Sequence, residues 1–312
     1  MSSSGTVHPL DARGATVRRT MIDLLIALSP LAIAAVVLFG VKALLMITVC
    51  VATSVLSEFL FQLIAKRPQT VGDLSAVVTG LLLALSLSTR VTLWQCAVGA
   101  VFATVIVKCV FGGNGHNFAN PAVTARVMLL VAFQGAVKGG AMTGFAELSS
   151  GATPLAVLGG EAGTLPSILD MVIGNRGGAI GEGCAVLLLC GFVYLLIRRV
   201  ISWQVPVVFV GTVFLLSLLL SQSLTDALYY VLGGGLLLGA IFMATDPVTT
   251  PRRTLGRIVF ALGAAVLTVL IRFYGTNQEG VSFAILFMNI LTPYLNKLSF
   301  KKENGGEVHE EA

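Results

Sequence analysis

The chain has 312 residues, of which 56% are hydrophobic and only 11% are charged, and its formal net charge is +5. Soluble domains average about 25% charged residues, so this composition excludes an ordinary water-soluble enzyme and predicts a protein of the lipid bilayer. The basic residues fall in short segments between apolar stretches, where they set membrane orientation. We therefore predict no nucleic-acid partner.

Ten apolar stretches have lengths that suit membrane helices, in which every backbone polar group must be bonded internally. They occupy residues 21–40, 42–64, 73–89, 92–111, 121–135, 183–197, 202–221, 227–244, 256–272 and 280–296. The sequence thus predicts an all-α integral membrane protein with about ten transmembrane helices. The sequence contains no phosphate-binding loop, no cysteine spacing typical of iron–sulfur clusters and no dinucleotide-binding fingerprint.

The chain divides into three predicted regions. Residues 1–20 are polar and basic and are expected to be a cytoplasmic segment, and residues 21–302 form one transmembrane domain. Residues 303–312, with the sequence ENGGEVHEEA, are expected to be a disordered acidic tail.

The distribution of Lys and Arg predicts that both termini are cytoplasmic. With that orientation the cytoplasmic ends hold Arg13, Arg18, Arg19, Lys66, Arg67, Arg198, Arg199, Arg252, Arg253, Arg257, Lys297, Lys301 and Lys302, against Lys42, Arg90, Lys138, Arg176 and Arg272 on the other side. Two further basic residues, Lys108 and Arg126, flank the loop after the fourth stretch and are also assigned to the cytoplasmic side. Cytoplasmic loops carry the excess of basic residues.

The single long connection, at residues 136–182, falls on the outer side in this orientation. It is rich in Gly and Ser, and long loops in compact folds are usually functional. It contains Ser150-Gly151-Ala152-Thr153-Pro154, which on composition alone is compatible with a simple polar turn.

Glu58 is the clearest acid inside a predicted span. Acids within membranes are costly and usually functional, so Glu58 is a candidate for the ion pathway. The alternative is that it pairs with a basic group on a neighbouring helix.

The motif around Thr153 resembles the sequence that flavin transferases recognise. These enzymes join FMN through a phosphoester to the last Thr of the motif Ser/Thr-Gly-Ala-Thr. An acidic residue or Asn stands three residues before the first Ser or Thr of this motif. Glu147 stands at that position, where Asp is more usual, and it keeps the charge. The resemblance implies a flavinylation motif of Glu147, Ser150, Gly151 and Ala152, with covalent FMN on Thr153.

Three more stretches extend the resemblance over essentially all the helices. They are Phe111–Ala122 (FGGNGHNFANPA), Gly174–Glu182 (GNRGGAIGE) and Phe242–Thr249 (FMATDPVT). Together with the Thr153 motif they resemble the family that contains the D subunit of the Rnf complex and the B subunit of the sodium-translocating NADH:quinone reductase, Nqr. A first helix that begins near residue 21 favours the Rnf branch, since the Nqr protein usually has a longer N-terminal extension.

This resemblance implies two inverted five-helix repeats similar to those of urea transporters. The sequence shows only weak internal similarity between the two halves, in the strings Gly80-Leu81-Leu82-Leu83 and Gly235-Leu236-Leu237-Leu238. The implied function is electron transfer between ferredoxin and NAD, coupled to Na⁺ or H⁺ movement across the bacterial inner membrane. The implied partners are a second protein with covalent FMN, iron–sulfur proteins and an NADH-binding protein of the same complex.

The family also implies a second, non-covalent flavin, riboflavin. Candidate residues lie at two polar helix breaks predicted on the cytoplasmic side, and we hypothesise that the two breaks meet to form one site. They are Asn114, His116, Asn117 and Asn120 in the first break, and Asp246 and Thr249 in the second. The alternative is that Asn120 and Asp246 are helix caps, and Asp246 is also a candidate for cation binding.

Two other functions fit parts of the sequence. One is that of the quinone-reducing Nqr branch, and the other is a pore of the urea-transporter type without redox chemistry.

Overall fold

The computed structural model describes residues 9–133, 153–174, 176–275 and 280–300, and within these ranges the regular structure is entirely helical. The helices are α1 Pro9–Phe39, α2 Val41–Ile64, α3 Ser75–Leu85, α4 Leu93–Val101 with a π-helical continuation Phe102–Cys109, α5 Pro121–Ala132, α6 Pro154–Leu158, α7 Ile168–Ile173, α8 Ala185–Ile197, α9 Gln204–Ser221, α10 Leu224–Leu232, α11 Leu236–Leu238 with a π-helical continuation Gly239–Met243, α12 Thr254–Tyr274 and α13 Gly280–Phe300.

Each of the ten predicted stretches coincides with a helix or a helix pair, so the all-α prediction is confirmed for the described residues. Four of the described helices are long and apolar enough to cross a membrane: Thr16–Phe39, Val41–Ile64, Gln204–Ser221 and Thr254–Tyr274. The pair α10 and α11 qualifies as a fifth if its 56° bend belongs to one span. A count of ten spans and an inverted repeat stay predictions.

Helix α1 begins at Pro9, well before the predicted first span at residue 21. The hydrophobic pattern marks only where a helix enters hydrocarbon, whereas the backbone hydrogen bonds of the helix continue into the polar residues before it. The polar tail at 303–312 lies outside the described residues.

Close contacts through small residues hold the bundle together. Helix α2 packs along α3 and α4, and α12 packs along α9 and α13. At Gly80 in α3, an added Cβ would lie 2.7 Å from the Cys50 carbonyl oxygen of α2. Small residues allow such backbone approach in membrane helices, where packing rather than the hydrophobic effect drives association.

The described part of the predicted loop at 136–182, residues 153–174 and 176–182, is more ordered than its composition indicates. This part contains α6 and α7, and it ends on the C-terminal end of α3, where the Ile180 and Gly181 amides donate to the Leu87 and Leu85 carbonyls at 3.0 and 2.8 Å. Gly174, with φ +102°, lies against the Gly183 backbone so closely that no Cβ would fit. The described part of this loop therefore belongs to the bundle.

Candidate functional site

Thr153 immediately precedes α6 and caps it. Its Oγ1 accepts a hydrogen bond from the Ala156 amide at 3.2 Å, and Pro154 occupies the first helical position. Both features are standard helix starts. Thr153 is partly exposed, whereas Leu155 is buried. The other motif residues, Glu147, Ser150, Gly151 and Ala152, lie outside the described residues.

Helix α6 rests on the break between α10 and α11. The break needs Gly234 and Gly235, whose φ angles are +61° and +68°. A Cβ on Gly234 would clash with Leu155 Cδ1 and would lie only 2.8 Å from Arg272 Nη2. The segment that begins at Thr153 is thus in contact with the guanidinium-lined break.

Two arginines donate hydrogen bonds to the carbonyl groups that the break leaves without helical partners. Arg272 donates to the carbonyls of Tyr230, Gly233 and Gly234, the last two at 3.1 and 3.2 Å. Arg176 donates to the Leu232 carbonyl of the break and also, at 2.9 Å, to the Glu182 carbonyl outside it. Guanidinium groups suit this role because they present several donors in fixed directions.

A third guanidinium and one carboxylate complete this cluster. Arg126 Nη2 lies 3.7 Å from Glu182 Oε1, and a Cβ on Gly235 would meet both side chains. Arg126, Arg176, Arg272 and Glu182 are each at most 5% exposed. We call these four residues the arginine cluster.

The two predicted polar breaks meet where α5 begins and where the π-helical continuation of α11 ends. Asn120 caps α5, accepting from the Ala122 and Val123 amides at 3.0 and 3.2 Å. Its Nδ2 donates to the Met243 carbonyl at 3.2 Å and approaches Asp246 Oδ2 at 3.4 Å. The predicted proximity of Asn120 and Asp246 is confirmed, and so is the alternative that Asn120 is a helix cap.

Asp246 stabilises a turn and does not cap a helix, since α12 begins only at Thr254. Its Oδ1 accepts from the Val248 amide at 3.1 Å, and its Oδ2 accepts from the Thr249 hydroxyl at 3.3 Å. Burial raises the pKa of Asp246, and these two hydrogen bonds act in the opposite direction.

The predicted ring-binding residues do not all converge. Asn114, Asn117, Asn120 and Asp246 line one small cavity of about 50 Å³. Asn114 also lines a neighbouring cavity of about 720 Å³. His116 lies exposed beside Gly112 and borders neither cavity.

Glu58 is fully buried and forms an ion pair with Lys108, whose Nζ lies 2.8 Å from Oε2 and 2.9 Å from Oε1. Glu58 Oε1 also accepts from Gln62 at 3.1 Å and from the Thr70 hydroxyl at 2.9 Å. The predicted alternative, a basic partner on a neighbouring helix, is confirmed.

Lys108 borders the small cavity, whereas Gln62 and Thr70 border the large one. Lys108 also donates to the Ser75 hydroxyl at 2.6 Å. The ion pair and its hydrogen-bonded neighbours therefore occupy the wall between the two cavities.

The charge count treated Lys108 and Arg126 as flanking a cytoplasmic loop and Arg176 and Arg272 as outer-side charges, whereas the structure buries all four side chains inside the bundle. Each side chain is at most 5% exposed. Lys108, Arg126 and Arg272 each lie within or at the end of a predicted apolar stretch, which was the available signal. Their carbonyl and carboxylate partners come from distant parts of the chain, so no local pattern identified them.

These features define a multi-pass membrane protein whose described regular structure is helical and whose helix breaks bury charged groups. Residues 5–305 match the NQR2, RnfD, RnfE family. The chain belongs to that family.

Several relatives carry functional names. The chain is 42% identical over 286 residues to the D subunit of the Na⁺-translocating ferredoxin:NAD⁺ oxidoreductase complex of Acetobacterium woodii, covering 91% of this chain and 88% of the relative. It is 36% identical to the D subunit of the proton-translocating ferredoxin:NAD⁺ oxidoreductase complex of Clostridium ljungdahlii, covering 91% and 90%. It is 35% identical to the B subunit of the Na⁺-translocating NADH-quinone reductase of Stutzerimonas stutzeri, covering 77% and 62%.

The buried ion pair generates a stability prediction. Replacing Lys108 with Met leaves the Glu58 carboxylate buried without its cation, and breaking a buried pair in this way costs about 3–5 kcal/mol. We expect the Lys108→Met variant to have a clearly lower melting temperature in detergent, and the double variant with Glu58→Gln to recover part of the loss.

The control is Lys42→Met, which removes an exposed lysine from α2, the helix that carries Glu58, and should leave the melting temperature nearly unchanged. A double variant no more stable than Lys108→Met alone would contradict the assignment.

Proposed function

We propose that this chain is the D subunit of an ion-translocating ferredoxin:NAD⁺ oxidoreductase complex and that it carries electrons through an FMN attached to Thr153. Support comes from the relatives named as D subunits, which align over nearly the whole chain, whereas the aligned quinone-reductase relative is matched over only 62% of its length. The Nqr branch is the second candidate, and quinone-dependent NADH oxidation by the purified complex would favour it.

The position of Thr153 suits covalent attachment. Thr153 is partly exposed at the start of α6, which favours access by a transferase, and the segment is anchored behind it by buried Leu155. When Oγ1 bonds to the phosphorus of the flavin donor, the hydroxyl proton is lost and the remainder of the donor leaves, while Oγ1 keeps a lone pair for the Ala156 amide. The flavin, when bound, supplies the electron-carrying chemistry, and this chain holds it in place.

The first functional prediction separates the two roles of Thr153. Thr153→Asn retains a side-chain oxygen that caps α6 but has no hydroxyl, so we expect a folded protein without covalent flavin. Flavin fluorescence in a denaturing gel measures attachment. Thr153→Ser, which keeps both roles, serves as the matched control for fold and expression.

Fluorescence of undiminished intensity in Thr153→Asn would refute attachment at Thr153. A wild-type band without flavin fluorescence would instead favour the pore without redox chemistry.

A second, non-covalent flavin is proposed at the junction of Asn120 and Asp246. The amide and carboxylate groups there suit the donors and acceptors of a flavin ring. The small cavity of about 50 Å³ is of the order of one or two waters, so it does not fit the ring as it stands. The cavity of about 720 Å³ that shares Asn114 is within the usual range for cofactor-sized ligands, so the ring would lie there with its edge directed towards the junction.

We therefore predict that the purified Asp246→Leu and Asn120→Leu variants release less flavin on mild denaturation than the wild type does, while the Thr153 band keeps its fluorescence. The control is His116→Leu, which lies outside both cavities and should retain the non-covalent flavin. Normal flavin content in both junction variants would restrict Asn120 and Asp246 to their structural roles.

The orientation is proposed with both termini in the cytoplasm and Thr153 on the outer face. The charge bias becomes stronger once the buried Arg176 and Arg272 are not counted, since only Lys42, Arg90 and Lys138 then remain on the outer side. In the complex, the partners would be a second covalent-FMN protein, iron–sulfur proteins and an NADH-binding protein.

Two exposed loop residues test this orientation in a cysteine-free background. Thr164→Cys, in the segment after α6, should react with an impermeant thiol reagent in spheroplasts, and Gln69→Cys, between α2 and α3, should react only after lysis. The opposite pattern would invert the proposed topology.

Ion coupling is proposed to involve Glu58. Its buried carboxylate lies in the wall between the two cavities, and Lys108 already supplies its counter-charge. Uptake of Na⁺ or H⁺ at Glu58 would require Lys108 to withdraw. The Glu58→Gln variant should therefore retain both flavins but lose ion transport in vesicles, and unchanged transport would remove Glu58 from the pathway.

A further inference from the structure

Helices α2 and α4 lie side by side and run in the same direction. Two contacts fix their alignment: the Cys50 thiol donates to the Cys96 carbonyl at 4.0 Å, and Glu58 pairs with Lys108 at 2.8 Å. Residues four apart lie on one face of a helix. The faces that meet are therefore formed by buried residues, each at most 1% exposed: Cys50, Ser54 and Glu58 on α2, and Cys96, Thr104 and Lys108 on α4 and its π-helical continuation. We call these six residues the polar seam.

Two hydroxyl groups of the polar seam are unpaired. Ser54 Oγ and Thr104 Oγ1 have no hydrogen-bond partner among the described residues, although both residues are fully buried. Hydroxyls in membrane helices commonly donate to the carbonyl of the preceding turn, as Thr48 of α2 does to Leu44 at 2.8 Å. Ser54 and Thr104 instead remain available, each one helical turn before a member of the Glu58–Lys108 pair.

The position of these two hydroxyls points to a ligand. A hydroxyl that is buried without a hydrogen bond is costly because it has lost its contacts with water, and polar groups inside a membrane usually mark function. Ser54 and Thr104 supply neutral oxygen atoms, and Glu58 supplies a carboxylate one turn away. Hard cations prefer this set of ligands, so the seam suits a small cation that has shed its water.

We propose that Ser54 and Thr104 form a cation site one helical turn deeper than Glu58, to which Glu58 passes a dehydrated sodium ion. This inference rests on the proposed role of Glu58 in ion coupling and extends that role into the bundle. The ion enters from the large cavity, whose wall residues Gln62 and Thr70 donate to Glu58 Oε1. Four residues of helix span about 6 Å, so the carboxylate attracts the ion at both positions.

Lys108 controls access to this site. Its ammonium group contacts both carboxylate oxygens of Glu58 and donates to the Ser75 hydroxyl at 2.6 Å. Lys108 and Ser75 both border the small cavity, and so does the carboxyl group of Asp246. An ammonium group that leaves Glu58 therefore turns towards a second acid instead of into lipid, and the sodium ion takes its place beside Glu58.

Sodium binding to the purified full-length chain tests the site. Equilibrium binding of radioactive sodium is measured in detergent, with choline keeping the ionic strength constant. We expect Ser54→Ala and Thr104→Val to raise the dissociation constant at least about tenfold, since each removes an oxygen whose contact with a charge is worth as much as a charged hydrogen bond. Thr104→Ser keeps the hydroxyl and should bind sodium as the wild type does.

The matched control is Ser217→Ala. Ser217 Oγ is equally buried and also has no partner among the described residues, but it belongs to α9 and not to the polar seam. The control variant should therefore bind sodium with the wild-type dissociation constant.

Stability without sodium separates ligand binding from packing. Because the two hydroxyls have no partner to lose, Ser54→Ala and Thr104→Val should melt in sodium-free detergent at or above the wild-type temperature. They should also lose the rise in melting temperature that bound sodium gives the wild type. A role in packing alone predicts the reverse, a lower melting temperature without sodium and an unchanged rise.

Wild-type affinity in both Ser54→Ala and Thr104→Val would overturn the site, and the role of Glu58 would survive if Glu58→Gln still weakened binding. A wild-type chain that binds no sodium would also overturn it, while loss of proton transport in Glu58→Gln vesicles would still support Glu58. A seam variant that does not fold counts against the proposal, because removal of an unpartnered hydroxyl gives no reason for unfolding.

Discussion

The need to satisfy every backbone polar group inside a bilayer determines how this chain folds. Broken helices are tolerated at membrane depth only where other groups replace the missing hydrogen bonds. Here side chains do so: Arg176 and Arg272 at the break before α11, and Asn120 and Thr250 at the Met243 and Ala244 carbonyls after it. The same residues that permit the breaks bring charged and polar groups into the apolar interior.

The sequence predicted the helical architecture because long apolar runs leave the backbone little alternative to helix in lipid. It also placed Asn120 and Asp246 together correctly, since both breaks were assigned to the same side of the membrane. It did not find the arginine cluster, and although it allowed a basic partner for Glu58 on a neighbouring helix, it did not identify that partner as Lys108. Arg126 and Glu182 are far apart in sequence, and only the packing of the loop against the α10–α11 break brings them within reach.

The breaks also shorten the path between the two proposed flavin sites. The helical unit from Leu236 to Met243 is short, and about eight residues correspond to roughly 12 Å at the usual helical rise. It runs from the arginine cluster beside the Thr153 segment to the Asn120 and Asp246 junction. A carrier at each end would therefore be separated by much less than the roughly 30 Å thickness of the hydrocarbon core.

The Glu58–Lys108 pair has a consequence for the biogenesis of the protein. Glu58 lies in α2 and Lys108 in the π-helical end of α4, 50 residues apart. A lone charge costs up to about 2.5–3.5 kcal/mol at the centre of an inserting helix on translocon scales and less towards the helix ends, where Glu58 and Lys108 lie. Helix α2 therefore gains by remaining beside the insertion machinery until α4 has been synthesised, so that the two helices enter the lipid as a neutral unit.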